Sequence, residues 1–198
     1  SFANALVLWG DPAQQEKLLP KLVEGEGLAA SVAVGEPHPF FDPMSLRPSA
    51  TKTSSGYTLA GEKSAVALAG RADWFLIAAA LPKLGPRFFL VHREASGLSV
   101  GDEPAMGLRS AALGRVKLDG VRVPEDALLG GDDALKKGGL AAYRDAVNRA
   151  RLAWGAMAVG ASQAVLDYVI PYCNEREAFG EPISHRQAVA FMIADIGI

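Results

Sequence analysis

The side chains able to do chemistry are few and scattered in this sequence. His38, His92 and His185 are its three histidines, and none has a partner at metal-ligand spacing. No Gly-x-Ser-x-Gly elbow occurs, so nothing marks a serine nucleophile. Cys173 is the single cysteine, which excludes an intrachain disulfide. A reducing, cytoplasmic setting is the expectation. With no histidine motif beside it, Cys173 reads as a buried helix residue, and His92, inside a strand-like run, reads as structural. One segment stands out: AVGEPHPFFDP, residues 33–43. Three prolines around two phenylalanines make a stiff loop at the end of an apolar strand, a common place to hold a ligand. The Phe40-Phe41 pair either lines such a site or fills it.

The elements that must position this loop fall into three stretches. Asp11 as N-cap and Pro12 at the first helical position begin a helix over 11–25, where Leu18, Leu19 and Leu22 recur at helical spacing. Pro20 predicts a break in it, and Gly25 and Gly27 end it. From 28 to about 124 the pattern is of strands, at 28–34, 56–66, 73–81, 87–93 and 114–123, separated by Ser55-Gly56, Gly85-Pro86, Ser96-Gly97 and Asp119-Gly120. Strands at this spacing predict a small sandwich or barrel, with no βαβ unit and no glycine-rich phosphate loop. From about 132 the pattern is helical. Residues 141–170 carry small residues (Ala153, Gly155, Ala156, Ala158, Gly160, Ala161) that let neighbouring helices approach closely. Pro171 predicts a kink between Tyr168 and Tyr172, and a second helix over 184–198 starts after Ser184 as cap.

The fold class expected is α+β: helix (1–27), middle β-domain (28–130), then the start of a helical bundle (131–198). Residues 1–9 lack a start signal and the chain stops inside an amphipathic pattern, as in the middle of a longer protein. The net charge of −2 and the dispersed basic residues give no pull toward nucleic acid or an acidic membrane surface. No apolar run is long enough to span a bilayer.

Several segments, taken in order, resemble the acyl-CoA dehydrogenase family. GDPAQQEKLLPKLVEGEGLAASVAVGEP resembles the stretch joining the family's N-terminal helices to its middle β-domain. GYTLAGEKS, ADWFLIAA, GLSVGDEPAMGLRS and VRVPEDALLG match later blocks, and RLAWGAMAVGASQAVLDY, EREAFGEPISHRQAV and MIAD match the start of the C-terminal helical domain. The resemblance implies a flavin enzyme that uses FAD to oxidise an acyl-CoA thioester to the 2-enoyl-CoA, in lipid or related acyl-CoA catabolism. A carboxylate removes the α-proton and the flavin accepts the hydride. It also implies a dimer or tetramer, homo- or hetero-oligomeric, and an electron-acceptor flavoprotein as partner.

Carried over residue by residue, the resemblance places Val34 and Gly35 at the flavin, with Gly35 where the family has a hydroxyl residue. His38-Pro39-Phe40-Phe41-Asp42 stands for the family's Gly-x-Gly-Ser-Asp, so Phe41 takes the place of a substrate-contacting serine. Ala65-Val66-Ala67 stands for an aromatic-Ile-Thr segment, leaving Val66 and Ala67 at the flavin without the aromatic or the hydroxyl. Arg176 matches an arginine that reaches the FAD pyrophosphate across a subunit interface, against the simpler reading that it pairs with Glu175 or Glu177. Phe179 and Gln187 match with it. Asn148 and Arg151 fall on the substrate side, near the CoA. Ala150 stands where some members carry the catalytic glutamate, and no residue is assigned as the base. Two readings compete: a dehydrogenase with an altered FAD site, and a non-catalytic subunit that completes its partner's site. A third is an acyl-CoA-binding protein without a redox role. The phenylalanines are expected to occupy part of the acyl-CoA channel.

Overall fold

The computed structural model describes residues 1–23, 27–107 and 109–198. Two compact units, Ser1–Val147 and Asn148–Ile198, make up the chain.

The first unit is built on one curled seven-stranded sheet: β1 (Ala30–Ala33), β2 (Ser49–Thr53), β3 (Gly56–Val66), β4 (Trp74–Leu81), β5 (Gly85–His92), β6 (Leu98–Asp102) and β7 (Gly114–Val123). The strand order is β1-β4-β2-β3-β7-β6, with β5 on the other edge of β4. β1 and β2 share one edge of β4, both parallel to it: β1 at Trp74–Ile77 and β2 at Ala80. The remaining pairs are antiparallel. β3 and β7 span the residues their alternation predicts. β2 and β6 were not legible, because SATKT and LSVGD are short and largely exposed.

β4 and β5 are apolar without alternation because both their faces are covered. Phe75, Ile77, Phe89 and Val91 join the core enclosed by the sheet, with Leu59, Val116 and Val121. Leu76, Ala78, Phe88 and Leu90 face the other way, onto α1 (Phe2–Trp9) and α2 (Pro12–Val23) through Phe2, Leu6 and Leu18. Tyr143 and Val147, from the first turns of the long α4 (Lys137–Glu175), complete that second core. A four-residue turn of helix, α3 (Gly131–Ala134), precedes α4.

Asp11 caps α2 as expected. Its carboxylate accepts the Gln14 N–H at 2.8 Å, and Gln14 Oε1 accepts the Asp11 N–H at 3.1 Å, a reciprocal capping pair. The break expected at Pro20 is absent, since α2 runs through it to Val23. Only one hydrogen bond is lost at that site, and Leu18, 1 % exposed, stays anchored in the core. Gly25 lies outside the described residues.

In the second unit α4 continues through Pro171 to Glu175, and the Arg176 N–H closes its last turn on the Tyr172 carbonyl at 2.8 Å. Tyr168 and Tyr172 stack across the proline, at 6.3 Å between ring centroids. A tight hairpin follows, β8 (Glu177–Ala178) and β9 (Glu181–Pro182). The last helix, α5, spans Gln187–Gly197. It begins three residues after the expected cap, because Ser184 is taken up in a 3-10 turn over Ile183–His185. Cys173 is buried, as expected.

Candidate functional site

β1 and β3 end side by side, and there the first group of expected site residues meets. The Ser64 N–H donates to the Gly35 carbonyl at 2.9 Å, which stitches the two strand ends together. A Cβ built on Gly35 would lie 2.8 Å from the Ser64 carbonyl oxygen, so the close approach itself requires glycine. Gly35 and Ala67 present N–H groups with no partner among the described residues. Ala65 and Ala67 are exposed. The Ser31 hydroxyl holds the Ala67 carbonyl at 2.5 Å, and Ala65 and Leu68 both take left-handed backbone, each with φ of 53°. The result is a shallow ledge of small side chains with two N–H donors unpartnered among the described residues, with Val34 and Val66 beside it.

Under the ledge lies a buried ion pair that the sequence reading did not single out. The Lys63 ammonium is 3.1 Å from Glu36 Oε1, with side-chain exposures of 0 % and 1 %. It also donates to the Val34 carbonyl at 3.0 Å. Glu36 Oε2 accepts the Arg47 N–H at 3.2 Å and faces His38 Nε2 at 3.0 Å. Burial pushes the Lys63 amine down to about 8, against the opposing pull of Glu36. One signal did point to it: Lys63 has the same strand parity as Tyr57 and Leu59, both buried.

His38 is thereby pinned between Glu36 and the Pro39 carbonyl, and Phe41 packs edge-on against its ring at 5.9 Å. Phe41 is half-buried. Phe40 is not: it is 101 % exposed, with φ of 56°. Of the two rings expected to occupy part of the acyl-CoA channel, Phe41 packs within the loop and Phe40 stands clear of it. The backbone there keeps the left-handed turn a glycine would favour, and that turn aims the side chain outward.

Glu103, also overlooked, borders the ledge. Its carboxylate accepts the Ala65 N–H at 2.6 Å, the Ser64 hydroxyl at 2.7 Å and Arg115 Nε at 3.0 Å. Partial burial works against its charge, and these hydrogen bonds with the Arg115 charge outweigh it, holding the carboxyl below its usual range.

The other expected site residues belong to the second unit. Asn148 and Arg151 are exposed, three residues apart and so on one face of α4. Phe179-Gly180 forms the turn of the β8–β9 hairpin, with φ of 58° and 83°, the signs of a type I′ turn. The Phe179 ring is 94 % exposed, and the Arg186 guanidinium lies over it at 5.2 Å. Arg176, just before the hairpin, is exposed and has no ion pair among the described residues. Pairing with Glu175 or Glu177 is thus not what holds it. Gln187 opens α5 and is exposed.

Comparison with known proteins sets this geometry in a family. Residues 31–121 match the pattern described as acyl-CoA dehydrogenase, middle domain, and residues 137–198 match acyl-CoA dehydrogenase, C-terminal domain. The chain is 32 % identical to an acyl-CoA dehydrogenase of Bacillus subtilis, over 98 % of this chain and 51 % of that protein. It is 34 % identical to a cyclohexane-1-carbonyl-CoA dehydrogenase of Geobacter metallireducens, over 91 % of this chain and 47 % of that protein. A solved FAD-dependent dehydrogenase superposes with a TM-score of 0.80 at 33 % identity, covering 99 % of this chain and 53 % of that one. The chain spans about half the length of the relatives it matches. No helix among the described residues is long and apolar enough to cross a membrane. In sequence pattern, sheet topology and helix order alike, this chain belongs to the acyl-CoA dehydrogenase family.

Proposed function

We propose that this chain carries the middle domain and first C-terminal helices of an FAD-dependent acyl-CoA dehydrogenase. Its reaction is α,β-oxidation of an acyl-CoA thioester to the 2-enoyl-CoA. The observation that carries this reading is the ledge at the ends of β1 and β3, where Gly35 and Ala67 offer unpartnered N–H groups beside small side chains. Two such donors suit the acceptor-rich edge of a flat heteroaromatic ring, and nothing bulky at residues 65 and 67 blocks its approach. FAD, when bound, supplies the two-electron acceptor.

The chain's own residues then bind and orient. Gly35 and Ala67 hold the ring edge, and Val34 and Val66 fix the strand ends behind it. The Lys63–Glu36 pair keeps β1, β3 and the loop to Phe41 in one register. Arg176, with its charge unpaired locally, binds the FAD pyrophosphate, and Phe179 and Gln187 present themselves beside it in sequence for the same cofactor. Asn148, Arg151 and Phe41 face the acyl-CoA. The exposed apolar residues of α4, including Leu152, Trp154 and Met157 at 74 %, 59 % and 58 %, suit burial in a homo- or hetero-oligomer. The reading is tested by anaerobic addition of acyl-CoA to the purified protein. Bleaching of the visible flavin band supports it, and an unchanged band in flavin-loaded protein contradicts it.

A second reading has an observation of its own. Glu103 places a carboxylate on the Ala65 N–H, where the family resemblance implies an aromatic, and Gly35 has no room for a hydroxyl side chain. Both weaken the grip on a flavin, as befits a non-catalytic subunit of a hetero-oligomer. That chain would purify colourless alone and turn yellow only together with a homologous chain.

A further inference from the structure

Arg87 is a buried cation with no counter-ion among the described residues, and it lies in the first unit. The residue is 3 % exposed. Its Nε donates to the Ala134 carbonyl at 2.6 Å, and its Nη1 donates to the Leu84 and Pro86 carbonyls at 2.9 and 2.8 Å. A guanidinium has five N–H donors. These bonds use three, so both donors of Nη2 are left. No fully buried polar atom lacks a partner among the described residues, so Nη2 reaches open space.

That space is a cavity of about 370 Å³ beside α1, β5 and the start of α4. Leu8, Trp9, Phe88, Leu129, Ala142 and Tyr143 give it an apolar wall. Two carboxylates stand at its rim, and both are engaged elsewhere: Asp11 caps α2, and Asp133 is paired with Lys136 at 2.5 Å. A Cβ at Gly139 would lie 2.7 Å from Arg87 Nε, so the backbone leaves room for the guanidinium at this place. Burial pushes Arg87 below its ordinary value, and a bound anion would offset that cost.

We infer that this cavity binds a small amphiphilic carboxylate, its carboxylate on Nη2 of Arg87 and its apolar body against Trp9, Phe88 and Tyr143. The volume falls within the range of small-molecule sites, and a single buried donor pair amid apolar walls is how such sites fix orientation. The chemical class is a medium-chain acyl or aryl carboxylate without its thioester. The site is separate from the flavin ledge and does not depend on a bound flavin.

The test uses octanoate and, as its neutral counterpart, 1-octanol, titrated into the purified protein by calorimetry. Octanoate is expected to bind at one site, and octanol about tenfold or more weaker, the loss expected for an unpaired charged donor. Arg87→Met is expected to abolish the difference. Because that variant removes three structural hydrogen bonds, Ala142→Leu serves as the second probe, filling the cavity from α4 while leaving Arg87 intact. It is expected to weaken octanoate about tenfold with an unchanged far-ultraviolet spectrum. Equal binding of octanoate and octanol would overturn the inference, as would octanoate affinity that survives Ala142→Leu. A structure with a protein carboxylate seated on Nη2 would overturn it likewise.

Discussion

Lys63 and Glu36 hold the loop that follows β1, and their burial has a sign that can be measured. The folded-state value of Lys63 is lowered from 10.5 to about 8. Between those two values the unfolded chain still holds the proton that the folded chain has released. Stability contributed by this group therefore rises with pH across that window, by an amount on the order of 3 kcal/mol. Urea unfolding of the wild type and Lys63→Met at pH 8 and pH 10 reads this directly. The variant should be the less stable, by about 3 kcal/mol for a stranded Glu36 carboxylate, and should lose the rise with pH. Lys63→Met combined with Glu36→Gln should recover much of that loss. Phe40 carries a different cost. Its ring is exposed and its backbone left-handed, so Phe40→Gly should raise the free energy of urea unfolding by up to about 1 kcal/mol. Gly35→Ser should do the opposite, destabilising by about 1–3 kcal/mol through the Ser64 carbonyl, without improving flavin retention. At this scale the sequence showed which family residues were replaced. It could not show that Gly35 closely meets the Ser64 carbonyl, because that contact joins Gly35 to a residue 29 positions away.

At the scale of elements, polar side chains hold the helices to the sheet. Gln14 is 4 % exposed, and all its hydrogen-bonding capacity is used. Its amide donates to the Asp126 and Leu128 carbonyls, each at 2.8 Å, and its oxygen accepts the N–H groups of Asp11 and Gly130. Gln14→Ala strands these groups and should cost about 2–3 kcal/mol, read as a fall in the thermal midpoint. The neighbouring Gln15 caps the other helix, its amide reaching the Leu6, Val7 and Gly10 carbonyls at the end of α1. Periodicity located β3, β4, β5, β7 and α4 because their patterns are long and apolar. It missed β2 and β6 because exposed short strands carry no such pattern, and it broke α2 at Pro20 because tertiary packing outweighs one lost hydrogen bond.

For the molecule as a whole, residues proposed to contact FAD occur in both units, Arg176 being proposed to act across a subunit interface. Val34, Gly35, Val66 and Ala67 lie in the first, Arg176, Phe179 and Gln187 in the second. Arg176 makes no local ion pair, so its loss should touch cofactor more than fold. Arg176→Gln is expected to weaken FAD retention about tenfold, with an unchanged urea midpoint. The central claim is that this family member still holds a working flavin despite its altered ledge. Its most direct test is the visible spectrum of the freshly purified protein, before and after anaerobic addition of acyl-CoA. The account predicts yellow protein whose flavin band bleaches on addition. Colourless protein that takes up no added FAD would contradict it.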